Sequence, residues 1–297
     1  MTGLYRVKIE NHMETTILVT GASGNVGTQV VNALQAASRK IRAADLDVQK
    51  LREKFGNSAE CVRFDLSDPG TFAPTFAGVD KMFLMRPPQI SNVKRDMFPA
   101  LEAAKQAGVK YVVFLSVIGV ERMTFIPHYK VETYLKDLHF QTTFLRCSFF
   151  MQNLSTTHRK EIRERSEIFV PVGNAKTSFI DVRDIGAVAA HLLVKDGHAG
   201  RNYDLTGAEA LDYWQAAKIL SETLGREIKY RNPGAFKFFV ETIRRGASLS
   251  YAIVVMGLYT STRYGMAASV TDAVERLTGK RPISFKKFTE DYKNAWL

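Results

Sequence analysis

Ile17-Leu-Val-Thr-Gly21-Ala-Ser-Gly24-Asn-Val-Gly27 is a short apolar run that enters three glycines spaced G-x-x-G-x-x-G and leaves through Val26, Val30, Val31 and Leu34. The run reads as a buried strand, the glycines as a tight turn and the valine-leucine spacing as the apolar face of a helix. With no side chains at 21 and 24, main-chain N–H groups can approach a diphosphate. The helix beginning near Asn25 then directs its positive end at that anion. Gly27 lets the helix lie close against the strand.

Outward from this unit, apolar runs at 41–44, 61–64, 81–85, 111–115 and 142–145 alternate with helical periods at 26–37, 48–55, 71–76, 98–107 and 129–137. Parallel strands need crossovers, and right-handed crossovers place helices on both faces, so the alternation predicts an α/β, Rossmann-type doubly wound parallel sheet. Past residue 150 the rhythm loosens. Residues 15–153 are expected to form the dinucleotide-binding core, with 174–200 returning to it. Residues 154–173 and 201–297 are expected to form a smaller C-terminal α/β lobe capping the substrate, and 1–14 an N-terminal extension.

The 297 residues, 45% of them apolar, suffice for a full α/β core. The apolar stretch Ser250–Tyr259 is too short to span a bilayer, and residues 1–14 lack the apolar segment of a signal peptide. Cys61 and Cys147 are the only cysteines, and no metal-ligand spacing occurs, which fits a reducing, cytoplasmic setting and no metal. The net charge of +11 divides as +5 before residue 151 and +6 after it. Such an even spread implies attraction for anionic ligands rather than a nucleic-acid track.

Asp45 ends the second strand 18 positions after Gly27, where a dinucleotide fold places the group facing the adenosine ribose. A carboxylate there accepts from the ribose hydroxyls and repels a 2′-phosphate, favouring NAD over NADP. The competing reading is a helix-capping Asp, with Arg42, Lys50 or Arg52 reaching a phosphate. Asp65-Leu66 follows the third strand, either near the adenine or as a helix N-cap. Arg86 closes the fourth strand at the ligand-bearing edge of the sheet, as a pyrophosphate contact or a plain loop cation. Phe149 and Phe150 offer flat faces for a nicotinamide or quinone ring, or else core packing. Tyr251, Met256, Tyr259 and Tyr264 could roof a flat aromatic substrate or belong to the core. Asp181 and Asp184 read as a helix N-terminus.

Together these residues resemble the NmrA-like group of atypical short-chain dehydrogenase/reductases over nearly all the chain beyond residue 15. Further matching stretches are Phe114-Leu-Ser116, His128-Tyr-Lys130-Val-Glu132, Thr143-Phe-Leu-Arg146, Phe149-Phe-Met-Gln-Asn153, Phe179-Ile-Asp181, Tyr203-Asp-Leu-Thr-Gly207 and Val274-Glu-Arg-Leu-Thr-Gly279. Within the group the chain looks most like the quinone oxidoreductase and triphenylmethane/azo-dye reductase branch. The resemblance implies NAD(P) with Gly21, Ala22, Ser23, Gly24, Asn25 and Val26 on the pyrophosphate and Met85, Arg86 and Pro87 beside it. Ser148, Phe149 and Asn153 would lie near the nicotinamide, and Phe150 beside the substrate.

Two departures stand out. Where the branch often carries an Arg for the NADP phosphate, this chain has Leu46. Where the wider superfamily has Tyr-x-x-x-Lys, it has Thr124 and His128. Reducing an alkyl ketone makes an alkoxide that needs a placed acid, whereas a quinone or conjugated dye spreads the incoming charge and needs only a weak donor. His128, expected to titrate near neutrality, is the candidate donor, or else it holds the nicotinamide ribose or is a structural histidine. Lys130 and Glu132 fall on different helix faces, one of them exposed. Two functions suit this pattern. One is an NAD(P)H-dependent oxidoreductase acting on a small quinone-like or conjugated acceptor. The other is a non-catalytic NAD(P)-binding redox sensor with a protein partner.

Overall fold

The computed structural model describes residues 15–297, so the expected extension at 1–14 lies outside the described residues. Seven parallel strands form the main sheet: β1 (Thr16–Thr20), β2 (Ile41–Asp45), β3 (Glu60–Arg63), β4 (Val79–Met85), β5 (Tyr111–Val117), β6 (Gln141–Cys147) and β8 (Asn202–Leu205). Their order is β3-β2-β1-β4-β5-β6-β8, so the sense in which successive strands are added to the sheet reverses between β1 and β4. Ligands of doubly wound sheets lie in the crevice at the carboxyl edge of such a reversal.

Helices Asn25–Ala36 and Val182–Val194 cover one face, through a core that joins Val30, Val31 and Leu34 to Ile185, Val188 and Leu192. Their axes come close because Gly186 has no side chain: a Cβ there would sit 2.5 Å from Gln29 Cβ. Helices Phe98–Gln106 and Pro127–Asp137 cover the other face, packing Leu101, Val131 and Leu135 on Val112, Phe114 and Phe144. Asp181, fully buried, caps the helix Val182–Val194 by accepting from Arg183 N at 2.9 Å and pairs with the Arg183 guanidinium.

The remaining chain builds a lobe around a small parallel pair, β7 (Glu167–Phe169) with β9 (Lys229–Arg231), and helices Tyr213–Leu224 and Phe285–Asp291. Phe179, Tyr213, Phe288 and the buried Trp296 fill its core. One boundary differs from the expectation that the lobe begins at residue 201: β8 is the edge strand of the main sheet, paired with β6 from Phe144↔Asn202 to Cys147↔Leu205. Its alternating burial, with Tyr203 and Leu205 inward, suits an edge strand covered on one face.

Candidate active site

The glycine turn takes the conformation its residues permit. Gly21 lies at φ +61°, and a Cβ there would overlap Met85 Sδ at 2.2 Å, so the end of β4 packs directly on the turn. Thr20 ties the same two strands, its hydroxyl donating to Phe83 O and accepting from Met85 N. Gly27 approaches the turn so closely that a Cβ would lie 2.2 Å from Gly21 O. The helix Asn25–Ala36 has Gly24 as N-cap, no side-chain cap and no acidic residue in its first turn. Its leading amides are therefore left for an external anion. An uncapped, glycine-flanked helix start beside a strand-end carboxylate fits the diphosphate and ribose of a dinucleotide.

That carboxylate is Asp45, which accepts from Ser23 N at 2.9 Å and from Leu46 N at 2.8 Å. The capping alternative falls to its neighbour: Asp47 caps the helix Val48–Phe55 through Lys50 N. Arg42 is committed to Glu60 and to the carbonyls of Thr75 and Ala77. Lys54, which sequence reasoning passed over, donates to Ser23 O and Thr28 Oγ1 and brings a cation onto the turn. Burial, then Lys50, lowers its pKa. Asp65 spends its carboxylate on Ser67 and Arg63, Asp68 rather than Asp65 caps the following turn, and Leu66 is buried in the core.

Beyond Met85 opens a cavity of about 450 Å³ along the ends of β4, β5 and β6, reached by Met85, Arg86, Leu115, Ser116, Cys147, Ser148, Phe149, Phe150, Asn153 and His128. Asp45, Asp65, Leu66, Pro87 and the glycine turn do not line it, so the expected site residues divide between a polar turn and a largely apolar chamber. Helices Ala235–Arg244 and Leu249–Arg263 roof the chamber, with Phe238, Tyr251 and Tyr259 reaching it, while Tyr264 points to solvent. Ser148 is buried and accepts from Ser178 Oγ at 3.2 Å, and Phe149 stacks on Tyr259 with ring centroids 5.5 Å apart.

Two cationic candidates behave differently from expectation. Arg86 is no free loop cation: its guanidinium turns back to the carbonyls of Pro87, Pro88 and Ile90, leaving Nε buried without a partner. Burial lowers its pKa to about 10. His128 does not titrate near neutrality, because burial, then the Arg86 charge, pushes it down to about 3. It therefore stands as a neutral imidazole, and its Nδ1 is buried without a partner. Thr124, at the position of the superfamily's tyrosine, is exposed and precedes the helix that carries His128.

Below the chamber floor, Glu132 is 3% exposed while Lys130 is exposed. Glu132 accepts from Ser116 Oγ at 2.6 Å and from Arg146 at 2.8 Å, locking the helix Pro127–Asp137 to the ends of β5 and β6. A second polar group in the wall, His158 with Glu161 and Tyr259, was not singled out as a unit from sequence. No group of His, Cys, Asp and Glu suited to a metal occurs among the described residues.

The NmrA-like family profile matches residues 13–288. An NAD(P)H azoreductase of Xenophilus azovorans is 33% identical over 285 residues, covering 94% of this chain and 99% of that protein. Prestalk A differentiation protein A of Dictyostelium discoideum is 30% identical over 279 residues, covering 93% and 92%. The crystal structure of the NADPH-dependent quinone oxidoreductase of Escherichia coli in complex with NADPH superposes with a TM-score of 0.81 at 21% identity, over 95% of this chain and 100% of that one, a likeness of fold.

Proposed function

The chain belongs to the NmrA-like family, and from that premise we propose an NAD(P)-dependent oxidoreductase that passes hydride to a quinone-like or other conjugated acceptor seated in the chamber. What supports this most is the junction at Met85, where an uncapped glycine turn suited to a diphosphate adjoins an apolar cavity large enough for a flat ring. NAD(P)H, when bound, supplies the hydride.

The protein's own groups bind and orient. The open amides of Asn25 and Val26 take the diphosphate over the glycine turn, where Ala22, Ser23 and Gly24 spend their own N–H groups on Ala44 O, Asp45 and Gly21 O. Asp45 takes the ribose hydroxyls and disfavours a 2′-phosphate, so NAD is the preferred form. Met85, Arg86 and Pro87 flank the diphosphate on the β4 side. Ser148, Phe149 and Asn153 hold the nicotinamide end, and Phe150 faces the acceptor. Neutral His128 offers one N–H and one lone pair, which suits holding a hydroxyl better than protonating an alkoxide. That limit selects conjugated acceptors, in which charge is delocalised as it arrives. Reduced thiols and the absence of a membrane-crossing helix among the described residues accord with a cytoplasmic setting.

The test is anaerobic loss of the near-ultraviolet absorbance of NADH or NADPH against a panel of quinones, triphenylmethane dyes and azo dyes. Oxidation matched by acceptor reduction is expected. Tight, redox-dependent coenzyme binding with no turnover of any acceptor would favour a sensor acting on a protein partner, a reading to which the missing tyrosine at position 124 lends weight.

A further inference from the structure

The chamber wall carries a line of polar side chains in an otherwise apolar surround, an exposed arginine followed by three buried groups. Arg245 pairs with Glu161 Oε1, Glu161 Oε2 lies 2.9 Å from His158 Nδ1, and His158 Nε2 lies 3.0 Å from the Tyr259 hydroxyl. Glu161, His158 and Tyr259 are 5%, 7% and 6% exposed, yet all three border the cavity. Their positions are fixed. Phe149 stacks on the Tyr259 ring at 23°, Phe238 meets it edge-on at 5.3 Å, and Glu161 and His158 share one turn at the start of the helix Arg159–Arg165.

Donor and acceptor chemistry gives this line a direction. A carboxylate paired with a guanidinium offers only lone pairs, so the proton of His158 resides on Nδ1, facing Glu161. Nε2 is then an acceptor, and the Tyr259 hydroxyl must donate to it. Burial, then the Arg245 charge, holds His158 down to about 4, which keeps the imidazole neutral and the direction unchanged at physiological pH. With its proton committed, the Tyr259 oxygen has only lone pairs left for a ligand.

We propose that Tyr259 is a specificity-determining hydrogen-bond acceptor, which selects ring ligands carrying a neutral hydroxyl or N–H over the same rings carrying an ether or carbonyl at that point. His158 and Glu161 are positioning residues that set its polarity. The inference rests on the reading of this chamber as the acceptor site and adds the chemical class of acceptor: conjugated rings bearing a phenolic hydroxyl or amine. A site built around such a bond discriminates strongly against the analogue that leaves its polar group unpaired.

The test needs neither coenzyme nor turnover, so it can fail while hydride transfer stands, and hydride transfer can fail while it stands. Calorimetry would compare 2-naphthol with 2-methoxynaphthalene on the full chain. Wild type is expected to prefer the naphthol by about tenfold. Tyr259→Phe should bind both alike, with affinity for the ether unchanged. His158→Leu should free the tyrosine proton to meet the ether oxygen and so erase the preference by strengthening ether binding, a result that simple loss of packing would not give. An equal affinity of wild type for the two probes, or a preference retained in both variants, would overturn the proposal. If Tyr259→Phe does not fold, His158→Leu decides.

Discussion

Replacing Gly24 with valine loads the coenzyme site while sparing the fold. Gly24 sits at φ −78°, a conformation open to any residue, and an added Cβ would meet Gly21 O at 3.3 Å with nothing else within 4 Å. The cost to folding is chiefly a poorer N-cap, about 1 kcal/mol. The open space beside that carbon is where the diphosphate is proposed to lie. Displacing it from two amides forfeits two charge-assisted hydrogen bonds at roughly 1.5–3 kcal/mol each, which weakens NADH about 10²–10⁴-fold. Gly27→Ala should do the reverse. Its Cβ would lie 2.2 Å from Gly21 O and 2.8 Å from Ala22 Cα, so it strains the packing of helix on strand and lowers stability first. Calorimetric titration with NADH, alongside thermal melts, separates the two effects. A folded Gly24→Val protein with wild-type affinity for NADH would refute the placement of the diphosphate.

The other predictions concern charge. Asp45→Ala combined with Leu46→Arg should shift the NADPH/NADH preference toward NADPH by about tenfold or more, since repulsion is removed and a charge-assisted bond added; an unaltered ratio would show that position 45 does not face the ribose. His128 and His158 are held to about 3 and about 4, so between those values and the unfolded value of about 6.5 the unfolded chain binds more protons than the native one. Their contribution to stability is therefore complete above about pH 6.5 and is lost as acid is added, and a melting temperature that rose on acidification through that interval would contradict the burial described. For the same reason kcat/KM should show no inflection near pH 6.5 that His128→Gln removes. Glu132→Ala leaves the half-buried Arg146 without its main partner and should cost about 3 kcal/mol in denaturant unfolding, and a loss within error of zero would mean that the bond does not brace the sheet edge.

What the sequence disclosed follows from the range of the forces involved. The glycine turn, β1 to β6 and their helices are written in local periodicity and turn chemistry, and they lie within a few residues of the expected bounds. The edge strand β8 is four residues long, and its neighbour in the sheet, β6, is far off in sequence, so no local pattern separates it from a strand of the lobe. Sequence alone leaves Asp45 open between a ribose-facing carboxylate and a helix cap, because Asp45 and Asp47 are chemically alike and only backbone geometry gives the cap to Asp47. The neutrality of His128 comes first from burial and then from the Arg86 charge, both set by tertiary packing that local sequence does not show. His158 and Tyr259 are 101 residues apart, and nothing short of the folded roof brings them together. Tyr259 carried a signal as part of an aromatic-rich helix, but the partner that gives it direction did not.

The most direct check on the central claim is a calorimetric titration of the unmodified chain with NADH and with NADPH. Saturable one-site binding of at least one of them, stronger for NADH, is expected. No detectable association with either would contradict the assignment of the glycine turn as a coenzyme site, and with it the proposed oxidoreductase.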